Sequence, residues 1–532
     1  MNYDLSKIID QLKEKNFAKA ELELNDLKQK FPEDFNINKV LGICLLSQKK
    51  YNQALTTFNY CYELKSDDYD VNVNLAFLFL KVQDYKMTIK FSKEAIKANP
   101  SLPSPYHNLA ECYLYLHDFK EAESNVLLSI KYRGGHLSKE ALGYPDLLNL
   151  YADILMAQNK ISEFKNFAIE VLDTGVYHSE LFMKLLKNNR SDIKDKYLDV
   201  LVKITNEKTS FETLIMNNAY KSAANFCLAA YFSKIDQKKS EEFYVIANKY
   251  ISEMQRQSLF QRQKKYSKLI KIFKYYNAES TLPKIDPNKG KGLIFIIGMP
   301  RSGTTLTESI IATSPDAIAG GERVYFNIQL NPLISEIENG EQILDFDFLN
   351  NLGDRYLDII SIHRKEKKFF IDKLPENFLF YKFIKLALPA SKFIHVHRDP
   401  WDNAISLFKE NYAENVYFAS SFFGIALEYA NYENIISFWK GIDGQNCFLD
   451  IRYERLVSET EDVVQEIWDY IGLTGKYSSS KRKEHFANTA SRQQVTQGIF
   501  KSSLKKNDFI EFKDTFTSDL ENQRLFWKKN IN

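Results

Sequence analysis

Apolar and polar positions in the first quarter of the chain follow a helical spacing that repeats. An aromatic residue recurs every 34 positions, at Phe17, Tyr51, Tyr85 and Phe119. The same step links Leu41, Leu75 and Leu109, then Gly42, Ala76 and Ala110, and then Ala20, Ala54, Thr88 and Ala122. Pro32, Ser66, Pro100 and Gly134 close the units. Each type has a task in paired helices. Gly or Ala permits close approach of two antiparallel helices, while the Leu and the aromatic fill the space between neighbouring pairs. Pro or Gly ends the second helix. The spacing therefore predicts one helical hairpin per unit, with the aromatic opening the second helix, stacked into a solenoid. A looser unit follows an insertion, with Tyr151, Ala152, Leu155, Phe164 and Ala168 in the corresponding places.

This pattern resembles the tetratricopeptide repeat over residues 17–136. The resemblance implies a concave surface that binds a peptide or partner. A rigid spacer or dimerisation arm fits the same residues, because every matching position is a packing position. Beyond residue 178 the chain stays helical in pattern, for example over Ala223–Met254. The basic, amphipathic stretch Lys264–Tyr276 reads as a solvated helix. Pro283, Pro287 and Gly290 then interrupt helical order, and a boundary is expected there.

The pattern changes after that interruption. Gly292–Gly298 is a continuous apolar run, as expected of a strand buried on both faces of a parallel sheet. The apolar run ending at Asp372 reads as a strand end, Ser391–His397 reads as a second buried strand, and Cys447 lies in a strand-like run. The fold class expected is an all-α solenoid over 1–178, a further helical region and linker over 179–280, and an α/β parallel-sheet domain over 289–532.

Composition narrows the function classes. The 71 Lys and Arg residues nearly balance 69 Asp and Glu, which argues against bulk nucleic-acid or membrane-surface binding and leaves local basic sites. The five cysteines (Cys44, Cys61, Cys112, Cys227 and Cys447) are scattered and never form a CxxC pair, as expected of buried thiols in a reducing compartment. Met1–Lys15 lacks the apolar core of a signal peptide. No run approaches the ~18 to 20 apolar residues that span a bilayer. A cytoplasmic protein is expected.

The candidate chemistry begins where the Gly292–Gly298 strand meets Met299-Pro-Arg-Ser-Gly-Thr-Thr305, with helical spacing over Leu306–Ala312. Strand, glycine-containing loop and helix aim backbone N–H groups and a positive helix end at a phosphate. Gly298 and Gly303 keep the frame of the nucleotide-kinase loop, and Thr305 stands at its Ser/Thr position. Its lysine position is Thr304. The missing lysine disfavours ATP hydrolysis and suits a loop that holds one phosphate with a transferable group.

Pro300, Arg301, Ser302, Gly303, Thr304 and Thr305 together resemble the 5′-phosphosulfate loop of sulfotransferases, in the form of the tyrosylprotein sulfotransferases and related bacterial enzymes. Arg398 at the end of the later strand, with Ser406 eight residues on, resembles the family's 3′-phosphate site. A guanidinium fork and a hydroxyl from a helix's first turns suit that phosphate. Tyr453, in the segment Tyr453-Glu-Arg-Leu456, would face acceptor or nucleotide. Ser491 and Lys501 resemble the C-terminal segment that closes over the nucleotide. The resemblance covers residues 289–503 and implies 3′-phosphoadenosine 5′-phosphosulfate as donor, with no metal required.

The resemblance further implies Glu322, 21 residues after Arg301, as the base for the acceptor hydroxyl, with two glycines before it that allow close approach. Lys373 resembles the family's catalytic lysine and, with Arg301, would supply positive charge at the sulfonyl group. Asp372, at a Walker-B-like position, keeps a small-molecule kinase as an alternative, and a repeat scaffold with an inactive transferase-like domain is another. His395 and His397 share one strand face and read as core histidines rather than metal ligands. Lys409, Glu410 and Asn411 stand where the tyrosylprotein enzymes carry an additional Arg, and Arg323 and Val324 stand where they carry Thr and Arg. These departures fall at expected acceptor-binding positions. They leave the hydroxyl acceptor open between a peptide tyrosine and a glycan, with the solenoid holding acceptor or partner.

Overall fold

The computed structural model describes residues 5–206, 214–253, 256–279, 285–340, 344–412, 416–474 and 508–531, and the chain forms two compact units, Met1–Val171 and Leu172–Asn532. The first unit is the expected solenoid. Its second helices, Phe17–Lys30, Tyr51–Leu64, Tyr85–Ala98 and Phe119–Tyr132, each begin on the repeating aromatic. Leu75, Ala76 and Ala110 are buried between helices, and Gly42 lies against the Phe58 ring. The caps repeat as well. Asp34 and Asp68 accept from backbone amides at the starts of Phe35–Ser47 and Tyr69–Lys81, as Asp84 and Asp118 do at Tyr85–Ala98 and Phe119–Tyr132. Such caps satisfy amides that the helix itself leaves unpaired. The turn inside each hairpin passes through a left-handed residue: Lys15, Lys49, Gln83 and His117 have φ of 61°, 59°, 60° and 59°.

The second unit is built on a five-stranded parallel sheet in the order β2-β3-β1-β4-β5. The strands are β1 Leu293–Gly298, β2 Ala317–Ala319, β3 Phe369–Asp372, β4 Lys392–His397 and β5 Leu449–Arg452. Successive β1 side chains enter opposite cores, as a period of two requires. Leu293, Phe295 and Ile297 join one cluster with Tyr266, Tyr356 and Trp439. Ile294 and Ile296 join another with Ile310, Val463 and Trp468. Covering both faces makes the strand apolar throughout.

The chain stays helical beyond the solenoid, in the helices Leu214–Phe232 and Gln237–Glu253, which are separated by a turn where the amides of Ile235 and Asp236 bond back to the Phe232 carbonyl. One helical expectation needs correction. Lys264–Tyr276 is not a solvated helix. It lies in Arg256–Glu279, which turns Tyr266, Leu269, Ile270 and Phe273 into the core while Lys264, Lys271 and Lys274 face water. Arg262 of this helix reaches Glu428 at 2.7 Å and Glu376 at 2.5 Å. Phe226, Tyr244 and Tyr266 belong to the same cluster as Phe295 of β1, so the chain from 285 to 290 joins elements of one core. Among the described residues no helix is long and apolar enough to cross a membrane.

Candidate active site

Strand order fixes where a ligand can sit. The chain leaves β1 toward β2 and β3 on one side, and β4 and β5 lie on the other. The connections therefore part at the carboxyl ends of β1 and β4, where open parallel sheets bind ligands. Paired in register, Gly298 ends β1 beside Val396 of β4, so the loop after β1 and the turn after β4 start side by side.

The loop after β1 is shaped by its backbone. Gly303 caps the helix Thr304–Ile311 with φ 109°, and a side-chain carbon there would lie 2.4 Å from the Tyr453 ring. Only glycine meets both conditions. Arg301 takes φ 68°. Its Nε donates to Ser406 Oγ at 3.1 Å, and its Nη1 lies 3.6 Å from Glu410. Arg398 donates from Nη1 to the Arg301 carbonyl at 3.4 Å, and its guanidinium stands 4.5 Å from the centre of the Tyr453 ring. Asp399 caps the helix Pro400–Phe408 that carries Ser406. Asn403 of that helix donates to the Pro300 carbonyl at 3.1 Å. Arg301, Arg398, Ser406, Gly303 and Tyr453 thus form one contiguous group. Ser302 Oγ is fully buried and has no hydrogen-bond partner among the described residues, and Thr304 and Thr305 open the helix as buried residues.

A second group sits after β2 and β3. The Gly320 amide donates to the Ile371 carbonyl, and the Lys373 amide donates to the Gly321 carbonyl. A side chain at Gly320 would strike the Phe370 ring at 2.4 Å, so the pair of glycines lets Glu322 approach β3. Lys373, wholly buried, donates from Nζ to Glu322 Oε1 at 2.5 Å, while the Glu322 side chain is 42% exposed. A buried ammonium facing a carboxylate that reaches water is a pair open on one side only. Behind it, Glu308 accepts the Gly321 amide at 3.0 Å, and burial, opposed by Lys373, pushes its carboxyl up to about 7.

Asp372 turns inward. Its oxygens accept from the Tyr356 hydroxyl at 2.5 Å and Asn377 Nδ2 at 3.2 Å, and burial raises its carboxyl to about 7. Arg323 is a correction. It is 1% exposed, contacts His363 and lies over the Phe370 ring, so it does not stand on an acceptor surface. Burial of a guanidinium is tolerated where it finds such partners. Lys409 is paired with Asp508 at 2.6 Å. His395 uses both ring nitrogens within the core, toward Asp450 at 2.6 Å and toward Tyr432, and burial keeps it neutral. Ser491 and Lys501 lie outside the described residues.

Glu308 and Asp372 bind protons more tightly in the folded chain than their ordinary carboxylate values allow. Folding therefore takes up protons between about pH 4 and 7, and the stability they support is full at the acid end and lost as pH rises through about 7. Glu308→Gln keeps the acceptor for the Gly321 amide but cannot ionise. Melting temperatures of this variant measured from pH 4.5 to 8 should fall less with rising pH than those of the wild type. A parallel decline in both would remove Glu308 from the titration.

Residues 294–477 match the model of the family described as "Sulfotransferase family", and residues 1–130 match that described as "ChAPs (Chs5p-Arf1p-binding proteins)". An "Uncharacterized protein" of Aquifex aeolicus (strain VF5) is 30% identical over 408 residues, 68% of this chain and 53% of that protein. The match thus spans about half the length of that relative. A Caenorhabditis briggsae protein named "Putative protein-tyrosine sulfotransferase" is 25% identical over 234 residues, 43% of this chain and 82% of its own length. Among solved structures, the sulfotransferase domain from the Synechococcus PCC 7002 olefin synthase is 17% identical. It covers 47% of this chain and 100% of its own, with a TM-score of 0.33.

Proposed function

Because residues 294–477 form a sulfotransferase-family domain, we propose that the chain transfers a sulfuryl group from 3′-phosphoadenosine 5′-phosphosulfate to a hydroxyl of a peptide tyrosine or a glycan. One observation carries this reading: the Arg301–Ser406 contact, with Arg398 against the same loop, gathers cations and hydroxyls at the carboxyl ends of β1 and β4. The donor fits the residues present. Ser302 offers a buried hydroxyl without a partner among the described residues, and the backbone at Gly303 is too close to Tyr453 to admit a side chain. Residues 300–305 would hold the 5′-phosphate against the helix end. Arg398 and Ser406 would hold the 3′-phosphate.

When bound, the donor supplies a sulfuryl group on a phosphate leaving group. Glu322 would take the acceptor's proton as its oxygen bonds to sulfur and the bond from sulfur to the 5′-phosphate breaks. Lys373 orients Glu322 and, with Arg301, would place positive charge where anionic charge grows. The kinase alternative loses ground on two counts. Thr304 occupies the lysine position, and both oxygens of Asp372 are engaged by Tyr356 and Asn377. In the same reading the solenoid binds the acceptor or a protein partner, and buried Cys44, Cys61, Cys112 and Cys227 fit a cytoplasmic setting.

Binding of adenosine 3′,5′-bisphosphate tests the site without needing the acceptor. At about a hundredfold excess over its Kd the nucleotide should stabilise the folded chain by about 2.7 kcal/mol, raising the melting temperature by several degrees. ATP with Mg²⁺ at the same concentration should raise it far less. Equal shifts with both would sink the sulfotransferase reading.

A further inference from the structure

Glu308 is 1% exposed and sits one turn into the helix Thr304–Ile311, which follows directly from the loop 300–305. A carboxyl in such surroundings costs stability unless it finds partners. Its partner is specific: Oε1 accepts the Gly321 amide at 3.0 Å. Gly321 takes φ 69°, and its carbonyl accepts the Lys373 amide at 2.9 Å. Both polar backbone groups of the residue before Glu322 are therefore held, one by the helix after β1 and one by the chain leaving β3. The Glu322 side chain is held at its tip by Lys373 Nζ. The two Lys373 contacts tie Glu322 to β3, and the Glu308 contact ties it to the helix of the phosphate loop.

We propose that Glu308 is a positioning residue: by accepting the Gly321 amide it fixes the base Glu322 relative to the helix whose start holds the donor's 5′-phosphate. This assignment rests on the sulfuryl-transfer reading of the site. In that reaction the acceptor's oxygen must meet sulfur in line with the leaving phosphate, so the base and the phosphate need a fixed separation. Positions 304 and 308 lie about 6 Å apart along the helix axis. One rigid turn thus sets the spacing between the phosphate at the helix start and the loop that presents the base. Displacing a reacting group by about 1 Å can slow a reaction by on the order of 10²-fold.

Glu308→Leu keeps most of the side chain's bulk and removes the acceptor. Transfer to a weakly acidic phenol, with both substrates saturating, should slow by about 10²-fold, while adenosine 3′,5′-bisphosphate binds the variant as it binds wild type. The defect should shrink on more acidic phenols, which depend less on the base. Because Glu308 acts through Glu322, adding Glu308→Leu to Glu322→Gln should slow transfer little further. A residue with a merely structural role would give additive losses. Two conservative variants separate the hydrogen bond from the charge, and they decide the matter should Glu308→Leu not fold. Glu308→Gln keeps an oxygen at full reach and should recover most of the rate. Glu308→Asp keeps the charge on a shorter side chain and should stay slow. Glu308→Asp at least as fast as Glu308→Gln, additive losses in the double variant, or a Glu308→Leu rate equal to wild type would each overturn the role of Glu308 alone. A wild type that does not bind the bisphosphate would overturn the underlying reading, and this assignment with it.

Discussion

Glu322→Gln should slow transfer to a weakly acidic phenol by roughly 10² to 10⁴-fold, the usual worth of a positioned general base. Nucleotide affinity should hold, because none of the contacts proposed for the nucleotide involves Glu322. The fold should hold as well. Gln is nearly the shape of Glu and still offers an oxygen to the Lys373 ammonium, and the Glu322 side chain is 42% exposed, so solvent screens part of the lost charge pairing. The defect should shrink along a series of increasingly acidic phenols, since acceptors that release their proton readily need less help. Lys373→Ala supplies the contrast. It removes positive charge, so its defect should persist whatever the acceptor's acidity. A Glu322→Gln enzyme as fast as wild type on the least acidic phenol, with donor saturating, would place the base elsewhere.

Arg398→Ala should weaken binding of the 3′-phosphorylated donor by about 2 to 4 kcal/mol, because it strips a charge-assisted fork from a phosphate in a partly buried site. The loss should be specific. Adenosine 5′-phosphosulfate, which lacks the 3′-phosphate, should bind variant and wild type with similar affinity. Arg398→Lys should recover only part of the difference, since an ammonium keeps the charge and loses the fork. The alanine variant also removes the guanidinium from the Tyr453 ring and from the Arg301 carbonyl, so its melting temperature must be measured alongside. A variant that keeps the wild-type preference for the 3′-phosphorylated nucleotide would show that Arg398 does not read that phosphate.

The parts of the chain most legible in sequence are those where one geometric demand acts on one residue type. Repeating aromatics mark the second helix of each hairpin because that position always fills the same gap. β1 reads as an uninterrupted apolar run because both its faces are covered. The left-handed turn residues Lys15, Lys49, Gln83 and His117 leave no such trace. The conformation costs a non-glycine residue only about 1 to 2 kcal/mol, and the caps and packing around it fix the turn without a glycine. Lys264–Tyr276 misleads for another reason. Its lysines face water as the pattern indicates, but composition alone does not reveal that the opposite stripe is core for the sheet. Arg323 misleads in the same way, since a charged residue next to Glu322 in sequence reads as surface until His363 and Phe370 are seen around it.

Sulfuryl transfer itself is the most direct test. The full chain is incubated with 3′-phosphoadenosine 5′-phosphosulfate labelled at sulfur, together with a simple phenol, a tyrosine peptide or a glycan in separate reactions. Labelled product and adenosine 3′,5′-bisphosphate are then counted. Labelled sulfate ester is expected on at least one hydroxyl acceptor, formed one for one with the bisphosphate and far more slowly in Glu322→Gln. Transfer of the γ-phosphoryl group from labelled ATP, with no sulfur transferred to any acceptor, would contradict this expectation.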